Sequence, residues 1–146
     1  MSADTWYVDT SALVKTVIVE AESAALRRWL KPRRSLASCD LIRVEAVRAV
    51  RMADPDAVHD LRRAIATLTL LRLDEDLLTV AADLEPPLLR SLDAIHLAGA
   101  LQLGPDLAGI LTYDQRMADG AEALGLNVVA PAEALDTDED ADEMQA

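Results

Sequence analysis

Short apolar runs alternate along the chain with stretches in which apolar residues recur every three or four positions. The short runs predict strands, and the three-to-four spacing predicts amphipathic helices. Five strands are predicted, at residues 5–9, 36–39, 70–73, 109–113 and 127–130. Helices are predicted around them, at residues 11–19, 22–30, 40–52, 55–68, 74–84, 91–103 and 115–124. This alternation indicates an α/β fold with a central parallel sheet covered by helices on both faces.

Residues with capping preferences refine some of the predicted helix ends. Asp40 and Ser91 are placed to act as N-caps, because their side-chain oxygens can accept hydrogen bonds from free amides of the first turn. Gly104 follows Leu103 and is predicted to end that helix, since glycine tolerates the left-handed conformation found after helix C-termini.

The length of 146 residues fits one domain, and the 51% hydrophobic content predicts a substantial core. Aromatic residues make up only 3% and Phe is absent, so Leu, Val, Ile and Ala are expected to build that core. Residues 1–135 are assigned to this domain. Residues 136–146 form an acidic segment with little apolar surface to bury, which predicts a disordered tail.

Cysteine content and the lack of long apolar runs bear on where the protein acts. Cys39 is the single cysteine, which excludes an internal disulfide and a cysteine-rich zinc cluster. The N-terminal residues show no signal-peptide pattern, and no apolar run approaches the roughly 20 residues that span a bilayer. We therefore expect a soluble, cytoplasmic protein that does not contact membranes.

The distribution of charge is compatible with a polyanionic partner. The formal net charge is −12, but residues 136–143 contribute six acidic residues, and without them 20 acidic and 14 basic residues remain. Residues 27–63 hold ten of the 14 basic residues and only five acidic ones. Unspecific, charge-driven binding to nucleic acid is not expected from such a chain, whereas a local basic contact is compatible with it.

Four acidic residues interrupt apolar stretches, where an ionised carboxylate is costly unless it is paired. They are Asp9, Glu45, Asp93 and Asp114. Asp9 and Asp114 close predicted strands, whereas Asp93 and Glu45 lie in the early turns of predicted helices. Because open α/β sheets bind their ligands at the carboxyl ends of the strands, we expect the four carboxylates to converge on one site at that edge.

Each acid also has an interpretation that requires no shared site. Asp93 lies in a first helical turn, where acidic residues interact favourably with the helix dipole. Asp114 is placed to cap the next helix, and Asp9 has at best a capping role as well. Glu45 lies within a helix, and its nearest candidate partners are arginines of that helix, Arg43 and Arg48.

Converging carboxylates repel one another, so without a cation at least one of them is expected to have a raised pKa. A hard divalent ion relieves this repulsion, and Mg²⁺ or Mn²⁺ is favoured over zinc because the chain offers no Cys or His cluster. Mg²⁺ keeps several waters and leaves room for phosphate oxygens. The predicted chemistry is hydrolysis of phosphodiester bonds with one or two metal ions, which activate the attacking water.

Four motifs around these acids resemble those of PIN-domain ribonucleases, especially VapC-type toxins of toxin–antitoxin pairs. The motifs are VDTSALVK at residues 8–15, VEAVRA at 44–49, LDAIHLA at 92–98 and LTYDQRMA at 111–118. They occur in the family's order. The first two are weak signals singly, but the four together are specific, and the resemblance covers roughly residues 5–131.

The resemblance implies a three-layer α/β/α fold whose parallel sheet has the strand order 3-2-1-4-5. It also implies a metal-dependent endoribonuclease directed at single-stranded RNA, a homodimer, and a cognate VapB-like antitoxin. The family's acidic quartet corresponds by position to Asp9, Glu45, Asp93 and Asp114, of which Asp9 and Asp93 are the firmest metal ligands. Its supporting hydroxyls correspond to Ser11 and Thr112. The acidic tail departs from the family pattern, and the target RNA is left open.

Basic residues around the end of the second predicted helix form the densest positive cluster of the chain. An exposed helix end without a function explains them as well as an RNA contact does. We predict that some of them contact RNA phosphates: Arg27, Arg28, Lys31, Arg33 and Arg34.

The two histidines, His59 and His96, are not predicted to form a catalytic pair. A metal-free ribonuclease with paired imidazoles would need both in one site, and His59 belongs to a separate, peripheral helix. His96 lies one turn after Asp93, where it could hydrogen-bond near the site, but a structural role is predicted for it. Cys39 is expected to be a small buried apolar residue.

One rival belongs to another functional class: a protein-binding module with little catalysis, whose acidic crevice docks a basic segment of a partner. Receiver domains and haloacid-dehalogenase-type phosphatases do not fit. Asp9, Thr10 and Ser11 provide neither an adjacent acidic pair nor an Asp-x-Asp motif. Metal-dependent RNA cleavage separates the nuclease from the binding module.

Overall fold

The structure is a computed structural model, and it describes residues 3–133. The acidic segment predicted to be disordered, residues 136–146, lies outside the described residues, as does the predicted domain end at residue 135. Five strands form one parallel sheet in the order β3-β2-β1-β4-β5, which confirms the expected topology. They are β1 Thr5–Val8, β2 Leu36–Cys39, β3 Thr69–Leu71, β4 Leu107–Leu111 and β5 Val128–Val129.

Seven α-helices surround the sheet within residues 3–133. They are α1 Thr10–Val14, α2 Ser23–Leu30, α3 Ile42–Ala53, α4 Val58–Ala66, α5 Glu75–Asp83, α6 Ser91–Gln102 and α7 Gln115–Ala123. Short 3-10 turns follow α3 and α6, at Pro55–Ala57 and Gly104–Asp106. In this part of the chain, none of the helices has the length and apolar character needed to cross a bilayer.

Apolar side chains on the two faces of the sheet form separate parts of the core. Val8 and Leu111 face a cluster built with α1, α2, α3 and α4. Their neighbours Tyr7 and Ile110 point to the opposite face, against α6 and α7, because successive strand residues alternate between faces. A third cluster joins α5 to α6. Leu, Val, Ile and Ala dominate all three clusters, as expected from the composition.

The register of the two central strands places the ends of β1 and β4 side by side. Tyr7 pairs with Ile110, and Val8 pairs with Leu111. The next residue, Asp9, donates its backbone N–H to the carbonyl of Leu111 over 3.3 Å. The loops that follow these two strands therefore meet at the carboxyl edge of the sheet, where the sequence places two of its four acids.

The first helix is shorter than predicted. A helix was expected over residues 11–19, but α1 begins at Thr10 and ends at Val14. The β-branched run of residues 16–19 follows it, and such residues lose side-chain freedom in a helix. The chain turns there instead, and the hydroxyl of Thr16 donates to the carbonyl of Leu13.

Two of the predicted N-caps are wrong. The cap position of α3 is Leu41, whose side chain cannot accept a hydrogen bond, and the Asp40 carboxylate accepts from Arg43 Nε at 3.0 Å instead of from a backbone amide. Arg90 takes the cap position of α6, and Ser91 is the first helical residue. The predicted stop at Gly104 is confirmed, since this glycine has a φ of +55° directly after the C-cap residue of α6.

Candidate active site

A cleft of about 420 Å³ opens beside the ends of β1 and β4. All four acids singled out from the sequence line it: Asp9, Glu45, Asp93 and Asp114. Asp9 directly follows β1, Asp114 precedes α7, Glu45 comes from α3, and Asp93 comes from the first turn of α6. The fold thus brings together residues that are far apart in the sequence, and it does so at the edge where ligands of parallel sheets bind.

Asp9 is buried, with 3% of its surface exposed, and its carboxylate is held by three donors. Its Oδ1 accepts from Ser11 Oγ at 2.7 Å and from the Ala12 backbone N–H at 3.1 Å, while its Oδ2 accepts from Thr112 Oγ1. Burial raises the pKa of Asp9 above its ordinary value, and the bonds from Thr112 and Ser11 offset part of that rise. The carboxylate is fixed in position but costly to ionise.

Ser11 and Thr112, the two predicted supporting residues, join the start of α1 to the loop after β4. Their hydroxyl oxygens lie 3.3 Å apart. Ser11 Oγ also accepts from the backbone N–H of Tyr113 at 2.9 Å, and Thr112 Oγ1 accepts from that of Asp114 at 3.1 Å. Each hydroxyl therefore donates to Asp9 and accepts from the β4 loop, which fixes the geometry of this part of the cleft.

Glu45 is held by residues that the sequence interpretation did not assign to it. Its Oε1 accepts from Thr10 Oγ1 at 2.9 Å and from His96 Nε2 at 2.6 Å. Burial raises the pKa of Glu45, but the hydrogen bond and charge of His96 outweigh burial and leave the pKa below its ordinary value. Within residues 3–133, Glu45 forms no ion pair with the arginines of its own helix that were expected to pair with it, Arg43 and Arg48.

Asp93 and Asp114 are held much less firmly. Within the described part of the chain, the Asp93 carboxylate takes part in no hydrogen bond, and Asp114 accepts one, from the Arg116 backbone N–H at 2.9 Å. The expected capping role of Asp114 is therefore confirmed, together with its place in the cleft. Burial and then the charge of Asp114 raise the pKa of Asp93, and the charge of Arg116 opposes that rise.

The donor set of the cleft suits a hard divalent cation, because carboxylate and hydroxyl oxygens are the ligands that Mg²⁺ and Mn²⁺ prefer. Burial raises the pKa of Asp9, whereas burial and then the charge of Asp114 raise the pKa of Asp93, so repulsion between carboxylates contributes at Asp93. Among residues 3–133, however, no three side chains of His, Cys, Asp or Glu are grouped closely enough to hold a metal ion. The residues fit such an ion by their chemistry, although their side chains are not grouped around one position.

A lysine at the rim of the cleft is already neutralised by acids. Lys15 Nζ donates to Glu20 and, at 3.1 Å, to Glu22, and it lies 5.0 Å from the centre of the Tyr113 ring. Burial lowers the pKa of Lys15, but its hydrogen bonds with these two acids outweigh burial and raise it. The cleft thus gains little net positive charge from this lysine.

The basic cluster predicted to contact RNA is not brought to the cleft. Arg27 and Arg28 lie in the last turn of α2, and the cluster continues into the turn before β2. This turn is at the amino ends of the strands, whereas the cleft is at their carboxyl ends. Arg28 forms an ion pair with Glu133. The Arg33 guanidinium lies 3.9 Å from the centre of the Trp29 ring. Contact between this cluster and RNA stays a prediction.

Three residues of the site were missed in the sequence: Tyr7, Thr10 and His96. Tyr7 is completely buried in β1, and its hydroxyl lies 2.8 Å from His96 Nδ1. Burial lowers the pKa of His96, but hydrogen bonds with Cys39 and Glu45 outweigh burial and raise the pKa to about 10. The position of His96 one turn after Asp93 was a usable signal, whereas Tyr7 in an apolar strand offered none.

Comparison with known proteins agrees with this geometry. The PIN domain family model matches residues 6–123. Ribonuclease VapC46 of Mycobacterium tuberculosis is 48% identical over 126 residues, which cover 86% of this chain and 97% of the relative. Ribonuclease VapC35 of the same species is 42% identical over 132 residues, covering 88% and 98%. The chain therefore belongs to the PIN-domain family, and within it to the VapC-type ribonucleases.

Solved structures share the fold at low sequence identity. The crystal structure of Mycobacterium tuberculosis VapC20, described as a sarcin-ricin loop cleaving toxin, matches with a TM-score of 0.70 at 16% identity. That match covers 86% of this chain and 99% of the other. A toxin–antitoxin complex from Klebsiella pneumoniae matches with a TM-score of 0.66 at 20% identity, covering 88% and 98%. These matches confirm the expected architecture.

Proposed function

We propose that the protein is a metal-dependent endoribonuclease toxin, which hydrolyses phosphodiester bonds of RNA at the cleft beside β1 and β4. The observation that carries this proposal is the convergence of four acids from four different elements on one cleft: Asp9, Glu45, Asp93 and Asp114. Carboxylates with a purely structural role would be expected to form ion pairs with basic side chains. Of these four, only Glu45 lies within ion-pair distance of one, His96, among residues 3–133.

Asp9 and Asp93 are the proposed principal metal ligands, and Glu45 and Asp114 complete the pocket. Mg²⁺, or Mn²⁺ in its place, would supply a metal-activated water and stabilise the charge that develops on the phosphoryl group. Ser11 and Thr112 hold Asp9 by donating to its two oxygens. Their role is to orient the carboxylate before the ion and the RNA arrive, so that little reorganisation is left for the reaction.

Electrostatics in the cleft explain why a cation is needed. RNA phosphates are anionic, while the cleft is lined by acids and its lysine is already paired with Glu20 and Glu22. Phosphate entry would therefore be repelled unless the carboxylates were neutralised. A divalent cation does this and also lowers the free energy of Asp9 and Asp93, whose charged forms are disfavoured without it.

The partners are proposed from the relatives and from the family. We propose single-stranded RNA as the substrate, a cognate VapB-like antitoxin as the inhibitor, a homodimer as the assembly and the cytoplasm as the place of action. The name of VapC20 specifies cleavage at the sarcin-ricin loop, but its 16% identity supports only the shared fold. The target RNA of the present chain stays open.

The rival function is a protein-binding module whose acidic crevice docks a basic segment. One observation favours it: within residues 3–133, the acidic side chains are not grouped tightly enough to hold a metal as they stand. The mobility that Asp93 and Asp114 need to close around an ion would equally let them meet an arginine or lysine of a partner.

RNA cleavage by the metal-free protein, with and without added Mg²⁺ or Mn²⁺, tests the proposal. Structured RNAs with single-stranded loops are the substrates, and Asp9→Asn and Asp93→Asn are the test variants. Cleavage should require metal and vanish in both variants. Asp119→Asn, an exposed residue of α7, is the matched control and should cleave as the wild type does. Cleavage that persists in chelator or in both test variants contradicts the mechanism, and metal binding without any cleavage favours the binding module.

A further inference from the structure

A chain of side-chain hydrogen bonds runs from the buried core to one acid of the cleft. Tyr7 Oη lies 2.8 Å from His96 Nδ1, and His96 Nε2 lies 2.6 Å from Glu45 Oε1. Tyr7 is completely buried and His96 is 3% exposed. Cys39 Sγ approaches the same Nδ1 atom at 3.8 Å. Both ring nitrogens of the imidazole are therefore used, and only Nε2 faces the cleft acid.

The contact with Glu45 determines which ring nitrogen carries a proton toward the cleft. Tyr7 can donate to Nδ1 or accept from it, so it holds the ring in either protonation state. If His96 is neutral with Tyr7 donating to Nδ1, or if His96 is charged, an Nε2–H donates to Glu45. The remaining neutral tautomer would place the Nε2 lone pair against the carboxylate oxygen, and the repulsion between them disfavours it.

The fold makes specific room for this arrangement. A Cβ atom added at Gly99 would lie 3.1 Å from both Cε2 and Oη of Tyr7, closer than most carbon contacts in proteins. Because residue 99 of α6 is a glycine without a side chain, the Tyr7 hydroxyl can reach the His96 imidazole. Burying such a polar network is costly compared with an apolar core, so its presence needs an explanation beyond packing.

Glu45 shows what the network achieves at the cleft. His96 Nε2 and Thr10 Oγ1 both donate to Oε1. Within residues 3–133 the second oxygen, Oε2, takes part in no hydrogen bond, although the residue lines the cleft. One oxygen is therefore held by the protein, and the other is left for a ligand. Partners of this kind around metal ligands set their orientation, and removing them typically lowers metal affinity about 10- to 100-fold.

We propose that His96 is a positioning residue for the metal site: held at Nδ1 by Tyr7, it holds Oε1 of Glu45 and leaves Oε2 free for the divalent cation. This inference rests on the proposed function. It assigns to His96 and Tyr7 a part in metal binding that the four acidic motifs do not include, without direct contact with the metal or the RNA.

Mn²⁺ titration into the metal-free full-length protein, followed by calorimetry, tests this role. His96→Leu removes the donor at similar size and should weaken Mn²⁺ binding about 10- to 100-fold. His96→Gln keeps an N–H donor near Nε2 and should recover most of the affinity. Tyr7→Phe removes only the hydroxyl and should cause a smaller loss than His96→Leu, because the imidazole itself is still present. His59→Gln, an exposed histidine of α4, is the control and should bind as the wild type does.

RNA cleavage separates positioning from a purely structural role. His96→Leu should need about 10- to 100-fold more Mn²⁺ for half-maximal cleavage, with an unchanged KM for RNA once Mn²⁺ is saturating. A lower Tm with unchanged Mn²⁺ affinity would show that His96 only supports the fold, and this overturns the proposal. Wild-type affinity in Tyr7→Phe overturns it as well, even if His96→Leu does not fold.

Asp93→Asn distinguishes this inference from the proposed function. If Asp93→Asn loses Mn²⁺ binding while His96→Leu and Tyr7→Phe retain it, the metal site stands and the positioning role fails. If all three variants bind Mn²⁺ as the wild type does, the metal site itself is wrongly placed.

Discussion

The two sides of the cleft hold their acids in different ways. Asp9 and Glu45, here called the fixed pair, accept five hydrogen bonds between them, from hydroxyls, a backbone amide and an imidazole. Asp93 and Asp114, here called the loose pair, accept one within residues 3–133. The donors to the fixed pair come from α1, from α6 and from the loop after β4, whereas the loose pair projects from the N-terminal ends of α6 and α7.

This difference shows how one site combines precision with room for a ligand. The fixed pair is oriented in advance, so binding an ion requires little reordering there. If the proposed metal site is correct, the loose pair has to rotate toward the ion, because the described residues contain no ready-made metal cluster.

Loss of a carboxylate from either pair should have the largest effect. Asp9→Asn and Asp93→Asn are expected to lower RNA cleavage at saturating Mn²⁺ by about 10³-fold, more than the 10- to 100-fold typical of residues that only orient a ligand. Cleavage rates of the purified variants measure this. If Asp93→Asn retained a tenth of the activity while Asp9→Asn lost it, the loose pair would not take part in catalysis.

Thr112 tests whether the fixed pair depends on its hydroxyl support. Thr112 is buried, donates to Asp9 and accepts from the Asp114 amide. Thr112→Val keeps the shape but leaves that amide without its partner. It should lower the free energy of unfolding by about 1–3 kcal/mol, measured by urea denaturation, and should also reduce cleavage. Thr112→Ser should restore both properties. Stability and cleavage equal to wild type in Thr112→Val would show that the support is unnecessary.

The pH dependence of stability should reveal the free-energy cost of ionising the buried Asp9 carboxylate. Its raised pKa means that the folded protein holds this proton more tightly than the unfolded chain does. That contribution to stability is present below the ordinary carboxyl pKa and is lost as pH rises through the raised value. In chelator at pH 8, Asp9→Asn should therefore melt higher than wild type, by roughly 4 °C for each ~1 kcal/mol recovered.

Thermal unfolding of both proteins from pH 4 to pH 8 measures this effect. The difference in Tm between Asp9→Asn and wild type should grow with pH and shrink when Mn²⁺ is added, because the cation stabilises the ionised form of Asp9. A difference that does not change with pH would mean that the ionisation of Asp9 is not costly in the fold.

Arg116 should produce the smallest effect. Its charge opposes the rise in the pKa of Asp93, but the side chain is exposed. Arg116→Gln should move the acidic limb of the pH–rate profile, recorded at limiting Mn²⁺, to higher pH by a fraction of a unit. Arg63→Gln on α4 is the control. An unchanged profile in Arg116→Gln would remove this arginine from the electrostatics of the loose pair.

Much of this molecule follows from patterns in the sequence. The alternation of strands and helices led to the parallel sheet, and the motif resemblance led to its strand order. Asp9 and Asp114 show why single residues were harder to interpret. Both cap helices and both line the cleft, so a capping role is compatible with a place in the cleft for each. A local pattern reveals the cap, while the cleft depends on the fold.

The partners of Glu45 could not be predicted, because they depend on side-chain packing between distant elements. Arginines of the same helix were the nearest candidates in sequence, yet the contacts come from Thr10 on α1 and His96 on α6. The short first helix has a local cause instead. Its β-branched continuation weakens the helical preference, and the chain turns where the periodic pattern still continues.

An anomalous difference map from crystals soaked in Mn²⁺ tests the central claim most directly. The account predicts a peak in the cleft, within bonding distance of the Asp9 and Asp93 carboxylates, with Glu45 Oε2 turned toward it and Oε1 still bonded to His96. The peak should be absent from crystals of Asp93→Asn. A cleft without a peak at saturating Mn²⁺, or a peak elsewhere that survives this substitution, would contradict it.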